Sequence, residues 1–339
     1  MWGVLRRVVL LGASVALCLG GQAARASVPL PGDAVQPPAN INILLYYNVL
    51  DGAGEFAPVR GNGYGKNTRV SIDVQAIRYI HTFNVAGMVG GVQLYQVYTN
   101  FLGPQEIGTP NLPGLGSGRA RLRHGDGLAQ PNLGAFLFPY ANDKNGTYLV
   151  LGQWFDPPIG SYDKTATLNY TKNMWTFESE AGFRTTLLGS PQGRNLSIEV
   201  WGELYIFSDN NGAGVVSPAL YANDYLAYGP IRPASTVPAR LHQQPEGEFR
   251  VFLPFQFYPA TLATITPGFY QSLGGKQVYR LQNGATLDSG SRTEESQVFL
   301  GLSSYVSPHW QVMLNGEYDV LVHGGPVNRA VELRVATAF

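Results

Sequence analysis

The chain has 339 residues with 23 basic and 23 acidic side chains, a balance that gives nucleic acid no electrostatic reason to bind. Charged residues make up only 14% of it, well below the roughly 25% of an ordinary soluble domain. The single cysteine, Cys18, excludes an intrachain disulfide, and nothing after residue 26 offers the roughly 20 consecutive apolar residues of a membrane helix.

Arg6 and Arg7, the apolar residues 8–20 and Ala24-Arg25-Ala26 form the three parts of a secretory signal peptide, so residues 1–26 are expected to be cleaved on export. Cys18 leaves with it, and Leu17 stands where a lipoprotein signal needs a small residue. The segment carries three arginines and no acid, so the mature chain turns mildly acidic. Residues 27–40 contain Pro29, Pro31, Pro37 and Pro38, which predicts an extended leader rather than a central strand. Its composition is compatible with a place outside a folded unit or inside one.

From residue 41 the pattern changes to strands. Residues 41–50 are predicted as the first, and 69–80 as a second with Val70, Ile72, Val74 and Ala76 on one face and Arg69, Ser71, Asp73 and Gln75 on the other. A link at 81–83 leads to a strand over 84–97. Residues 128–138 and 147–155 follow, joined by the turn residues 142–146. The strand at 174–187 returns through 190–193 as 196–207, where Ser197, Glu199, Trp201, Glu203 and Tyr205 alternate with Leu196, Ile198, Val200, Leu204 and Ile206. Residues 248–257, 262–273, 296–306 and 310–322 complete the series before the last stretch.

That stretch, 329–339, sets Val331, Leu333, Val335 and Phe339 against Glu332, Arg334, Ala336 and Ala338, a period of two with one apolar and one polar side. Its aromatic end resembles the C-terminal strand of bacterial outer-membrane barrels, which implies recognition of Phe339 by the barrel assembly machinery. About twelve strands are expected. Their connections alternate between short and long, as in an up-and-down antiparallel transmembrane β-barrel with short periplasmic turns and long extracellular loops over residues 41–339. An even number lets the first strand pair with the last and removes the sheet edges. Tyr79, Phe83, Phe138, Tyr140, Tyr258, Trp310 and Phe339 are expected at the periplasmic rim, and Trp154, Phe155, Trp175, Phe177, Phe207 and Tyr270 at the outer one. Arg78, on the side read as lipid-facing, is expected to snorkel.

Residues 151–176 resemble the barrel family named "putative MetA pathway of phenol degradation", through Pro158, Gly160, Tyr162, Asp163, Asn173 and Trp175. The resemblance extends to 76–87, 124–140 and 201–211. It implies an outer-membrane channel or transporter-like protein connected by name to aromatic breakdown, and it brings no catalytic residues.

The five histidines fall in turns or loops without a serine–acid partner or a metal-ligand spacing, so no catalytic residue, metal or cofactor is assigned. Asp209-Asn210-Asn211-Gly212 reads as a plain turn. Arg119, Arg121 and Arg123, with His124, form a basic external loop suited to gripping lipopolysaccharide phosphates, to drawing in an anion, or simply to water. The pore-lining candidates are Asp73, Glu178, Glu180, Arg184, Glu199, Glu203, Arg250, Glu317, Asp319, Glu332 and Arg334, with Arg184 opposite Glu199, Glu180 opposite Glu203 and Glu317 expected to face Arg334 across the last hairpin. They describe an acidic interior, either a polar path or a salt-bridged plug. The expected function is passive passage of a small solute, aromatic or hydrophobic by analogy, across the cell outer membrane. The alternative is a non-conducting structural or adhesion barrel with ligand-binding loops. No enzyme activity is expected.

Overall fold

A sheet of strands that alternate in polarity leaves unpaired backbone at both edges unless it closes on itself. The computed structural model, which describes residues 28–57, 65–108, 119–166, 168–216, 236–288 and 293–339, closes it. Twelve long antiparallel strands form the wall. They are β1 (Asn42–Ala57), β2 (Gly65–Val85), β3 (Met88–Phe101), β4 (Asn132–Asn142), β5 (Thr147–Asp156) and β6 (Thr176–Gly189). The rest are β7 (Asn195–Phe207), β8 in two pieces (Glu246–Phe252 and Phe255–Tyr258), β9 (Ala263–Gly274), β10 (Glu294–Ser307), β11 (Trp310–His323) and β12 (Gly325–Ala338). Each pairs with its sequence neighbours, and β1 pairs with β12 from Ile43↔Ala338 to Ala57↔Gly325. The seam ends where Asn42 and Phe339 exchange backbone hydrogen bonds of 2.8 and 2.9 Å. The predicted signal peptide lies outside the described residues.

The two ends of the barrel differ. At one, β2 turns into β3 through Ala86 and Gly87, both with positive φ, and β8 reaches β9 through a single 3-10 turn, Pro259–Thr261. The link expected at 81–83 is instead the continuation of β2, whose pairing with β3 runs on to Val85↔Met88. At the opposite end the connections are long, with one exception. β11 and β12 are joined there by Gly324, followed by Gly325, at φ 77° and 144°. The long connections carry structure that their polar composition did not announce: Gln105–Gly108 and Arg119–Leu122 pair beside β2, and Asn210–Val216, Thr236–Gln243, Gln277–Leu281 and Thr286–Asp288 form a four-stranded sheet over the barrel end.

The outward face is apolar, as Leu44, Ile77, Leu94, Leu151, Leu204, Phe249, Leu300 and Val331 show by their exposure. Tyr79, Tyr140, Tyr258, Trp310 and Phe339 are exposed around the short-turn end, and Phe155, Trp175 and Phe177 toward the other. Phe138, Trp154 and Tyr270, expected in these girdles, are buried inside. A bulge between Leu137 and Tyr140 places Phe138 and Tyr140 on opposite faces. Phe207 instead packs against the cluster of Met174, Ala213, Ala239, Leu241 and Tyr279 beneath the outer sheet.

Inside, aromatic rings lie over glycines on the adjacent strand. Trp154 is nearly opposite Gly134, and Trp201 is paired with Gly182. A Cβ on Gly182 would meet the Trp201 ring at 2.5 Å, and one on Gly134 the Trp154 ring at 2.3 Å. Such pairs let wide side chains lie flat against the wall of a barrel too broad for one ring of ordinary side chains to fill. Gly182→Val is therefore expected to push Trp201 off the wall and to destabilise the barrel by about 1–3 kcal/mol, the usual cost of overpacking. Urea unfolding in detergent, followed by tryptophan emission, measures it.

Candidate functional site

Whether the interior is a path or a plug depends first on the leader, and the leader is inside. It is tied at the short-turn end by Asn40 N–H to the Thr82 carbonyl at 2.9 Å and by Ile41 N–H to the Thr82 hydroxyl at 3.1 Å. From there the chain runs into the lumen and makes a turn in which Asp33 N–H donates to the Leu30 carbonyl at 3.0 Å. Leu30 and Ala34 are buried against a wall cluster that includes Leu45, Tyr47, Ala76, Ile80 and Trp201.

Glu199, on β7, fixes this turn. Its carboxylate accepts Gly32 N–H at 2.9 Å and Ala34 N–H at 3.2 Å. It also accepts the Trp201 indole N–H at 3.0 Å and pairs with Arg184 at 3.0 Å. A carboxylate with no exposed surface needs this many donors, since burial leaves it no water. Asp33 supplies the opposite polarity: its two oxygens take Arg334 Nη1 at 2.7 Å and Arg78 Nη1 at 3.3 Å. Arg78 thus points inward, where its reading as a snorkelling residue on the lipid side placed it outward.

Farther toward the long-loop end a second network surrounds Arg250. Its Nε donates to Glu203 at 3.1 Å, its Nη2 to Glu248 at 2.7 Å, and its guanidinium lies 4.2 Å from the centre of the Tyr270 ring. The Tyr205 hydroxyl donates to Glu203 at 2.8 Å. Glu178, Glu180, Arg184, Glu199, Glu203, Arg250, Glu317, Asp319, Glu332 and Arg334 all sit on inward-facing positions. The pairings Arg184↔Glu199 and Glu180↔Glu203 hold residue for residue. Glu317 stands opposite Ala330, and Arg334 opposite Met313, so these two are not partners; Asp319 accepts Gln297 Nε2 at 3.1 Å and Asn328 N–H at 2.8 Å.

Asp73 is the exception among the lining candidates. It lies on the outward face, accepting Asn48 Nδ2 at 2.7 Å and Gln75 Nε2 at 3.0 Å. The reason is the leader: the apolar face of β2, with Val70, Ala76 and Ile80, is buried against the filled interior rather than turned out. Asp33 and Glu248 join the buried charges, as do Glu295, Asp156 and Lys172, and Asp33 left no mark in the sequence pattern because it lies in a proline-rich segment without periodicity.

Between leader and wall, at the short-turn end, lies a cavity of about 320 Å³. Asp33, Arg78, Arg334 and Glu180 border it together with Phe136, Phe138, Trp154 and Trp201. Of the basic loop, Arg123 pairs with Asp163 at 3.5 Å; the side chains of Arg119 and Arg121 lie outside the described residues. Elsewhere in the outer sheet Asp209 joins Arg240 and, at 2.7 Å, His242 Nδ1. Among the described residues no group of His, Cys, Asp and Glu is placed to hold a metal, and no helix is long and apolar enough to cross a membrane.

The family described as "Putative MetA-pathway of phenol degradation" matches residues 50–335. The fold is similar to that of the COG4313 outer membrane channel from Pseudomonas putida F1, at a TM-score of 0.70 and 16% identity over 92% of this chain and 100% of that one. It is also similar to the transport unit of the autotransporter AIDA-I from Escherichia coli, at a TM-score of 0.50 and 7% identity over 98% of this chain and 99% of that one. By sequence, no curated protein matches the chain.

Two outcomes follow from this geometry. Glu199→Ala removes the acceptor of four donors, a buried-network loss worth about 3–5 kcal/mol, so the leader should become at least tenfold more susceptible to added protease while the barrel stays intact. In the outer sheet, burial pushes the Asp209 carboxyl up, but the His242 hydrogen bond and the Arg240 and His242 charges outweigh it and hold the group below its ordinary 3.8. A depressed carboxylate adds stability above its ordinary value and loses it as pH falls through the folded one. Amide exchange in Thr236–Gln243 should accordingly stay slow at pH 4–5 and accelerate only in stronger acid, an acceleration that Asp209→Asn abolishes.

Proposed function

This chain belongs to the family described as "Putative MetA-pathway of phenol degradation", and from that premise we propose that it is an outer-membrane channel for passive entry of a small solute. The observation that carries the reading is the cavity of about 320 Å³ beside a leader held to the wall by a few polar contacts and by the packing of Leu30 and Ala34. A wall of closed strands with an apolar exterior belongs in hydrocarbon, and the outer membrane is where the fold of its structural neighbours is used. The inward charges would then select solutes, and the leader would set the bore. Lipid, lipopolysaccharide around the long-loop end, and the assembly machinery acting on the strand that ends at Phe339 are the partners this reading implies.

A second reading has its own support. The salt-bridged midsection, with Glu199, Arg184, Glu203, Arg250 and Glu248 all satisfied internally, suits a barrel that does not conduct and acts through its external loops. Planar-bilayer recording separates the two. The channel reading expects small current steps from the mature protein and steps several-fold larger from Glu199→Ala, in which the leader is loosened. Silence from both, with the protein folded and inserted, favours the non-conducting barrel.

A further inference from the structure

We propose that the Arg78–Arg334 pair is a binding site for the carboxylate of a small aromatic acid, and that Asp33 of the leader occupies it in the resting protein. The inference rests on the channel reading and names the solute class for it.

Two guanidiniums converge on a single carboxylate, one to each oxygen. Convergence of this kind is the usual recognition of a carboxylate by arginine. The pair is held in place without Asp33. Arg78 Nε donates to Gln93, and Arg334 Nη2 donates to Gln311 at 3.2 Å. Their strands, β2 and β12, are the two neighbours of β1 in the wall. Asp33, by contrast, belongs to the leader, and its side chain is the most exposed member of the trio at 18% against 13% for Arg78 and 3% for Arg334. The arginines are thus held by the wall itself, and their present occupant belongs to the leader.

The cavity beside it has the shape and chemistry for the remainder of such a ligand. It adjoins both arginines and is walled by Phe136, Phe138, Trp154 and Trp201, and about 320 Å³ falls at the small end of pockets that hold organic ligands. A single ring can lie against these side chains while its carboxylate reaches the guanidiniums. Charge decides how it enters. Glu180 also borders the cavity, so with Asp33 in place the arginines are already matched and a further anion would be repelled. Exchange of one carboxylate for another leaves the balance unchanged. Binding of the acid and release of Asp33 are thus one linked equilibrium: the ligand favours the state in which the leader has let go. A neutral ring of the same size can occupy the aromatic wall but cannot displace Asp33.

The test uses the full mature protein in detergent, its folded state checked by heat-modifiable migration, with the emission of Trp154 and Trp201 as the signal. Benzoate and benzamide are the probes, compared in the native protein, in Asp33→Asn, and in Asp33→Asn combined with Arg78→Gln or with Arg334→Gln. Asparagine at 33 can still accept Leu30 N–H, which the aspartate does at 3.2 Å, so the turn is kept while the competing charge is lost. Benzoate is expected to bind Asp33→Asn at least tenfold more tightly than the native protein and to lose that gain when either arginine is changed; benzamide should bind all four alike. If benzoate and benzamide behave alike throughout, or if Asp33→Asn leaves benzoate unchanged, the site is not a carboxylate site. Bilayer recording of the same proteins keeps the two readings apart. Current without benzoate selectivity sinks this inference alone, and selective benzoate binding with no current in any variant sinks the channel reading instead.

Discussion

Hydrocarbon offers no hydrogen bonds, and that single fact accounts for the closure of the sheet. A strand edge left open in lipid would cost several kilocalories per mole for each unpaired backbone group, so β1 must find β12 across the whole length of the chain. The register at this seam is continuous apart from one shift between Ala53 and Glu55. The break in β8 at Leu253-Pro254 obeys the same constraint. Proline has no N–H to give, but its carbonyl accepts Ser197 N–H, and Leu253 N–H donates to the Pro267 carbonyl, each at 2.9 Å.

Closing the sheet creates the second problem, which is what to put inside. Twelve strands enclose more space than one layer of side chains fills and less than a wide aqueous pore requires. The chain meets this in three ways: rings laid over glycines, networks of charge on strands facing one another, and its own N-terminal leader. The leader brings apolar groups, Leu30 and Ala34, and one acid, Asp33, into the same turn. Neither could stand there without a matched wall, and the wall is made of Val and Ala on β2 together with Arg78 and Arg334.

This explains what was legible in the sequence. Alternation alone located nearly all the wall strands, because a wall strand faces lipid on one side whatever its interior holds. The facing pairs Arg184↔Glu199 and Glu180↔Glu203 were legible because a short turn fixes their register. The polarity of β2 was not. Taking the more apolar face as the outer one assumes a wet lumen, and Asp73 and Arg78 exchanged sides once the leader made the interior partly apolar. Trp154, Tyr270 and Phe138 also differ from the reading, since an aromatic near a strand end reads as a girdle residue; Trp154 turns in over the opposing Gly134, Phe138 at the bulge before Tyr140, and Tyr270 beneath Arg250. The outer sheet was hidden because its strands are short and sit within polar connections, where the period of two has too few residues to register.

The interior charges then take on a definite logic. Arg250 is surrounded by Glu203, Glu248 and Tyr270, all fixed to the wall, so it has nothing to gain from moving. The contacts of Asp33 and of Glu199 differ from it in one respect: each joins the wall to the leader, and in the Asp33 contact the leader supplies the charge. An ion pair between two parts of one rigid wall stores only structure. The same pair between a wall and a tether is an equilibrium, and a solute that offers the wall an equivalent carboxylate can shift it. Placing the acid on the leader and the arginines on the strands is the arrangement in which a solute's carboxylate can take the leader's place on the wall.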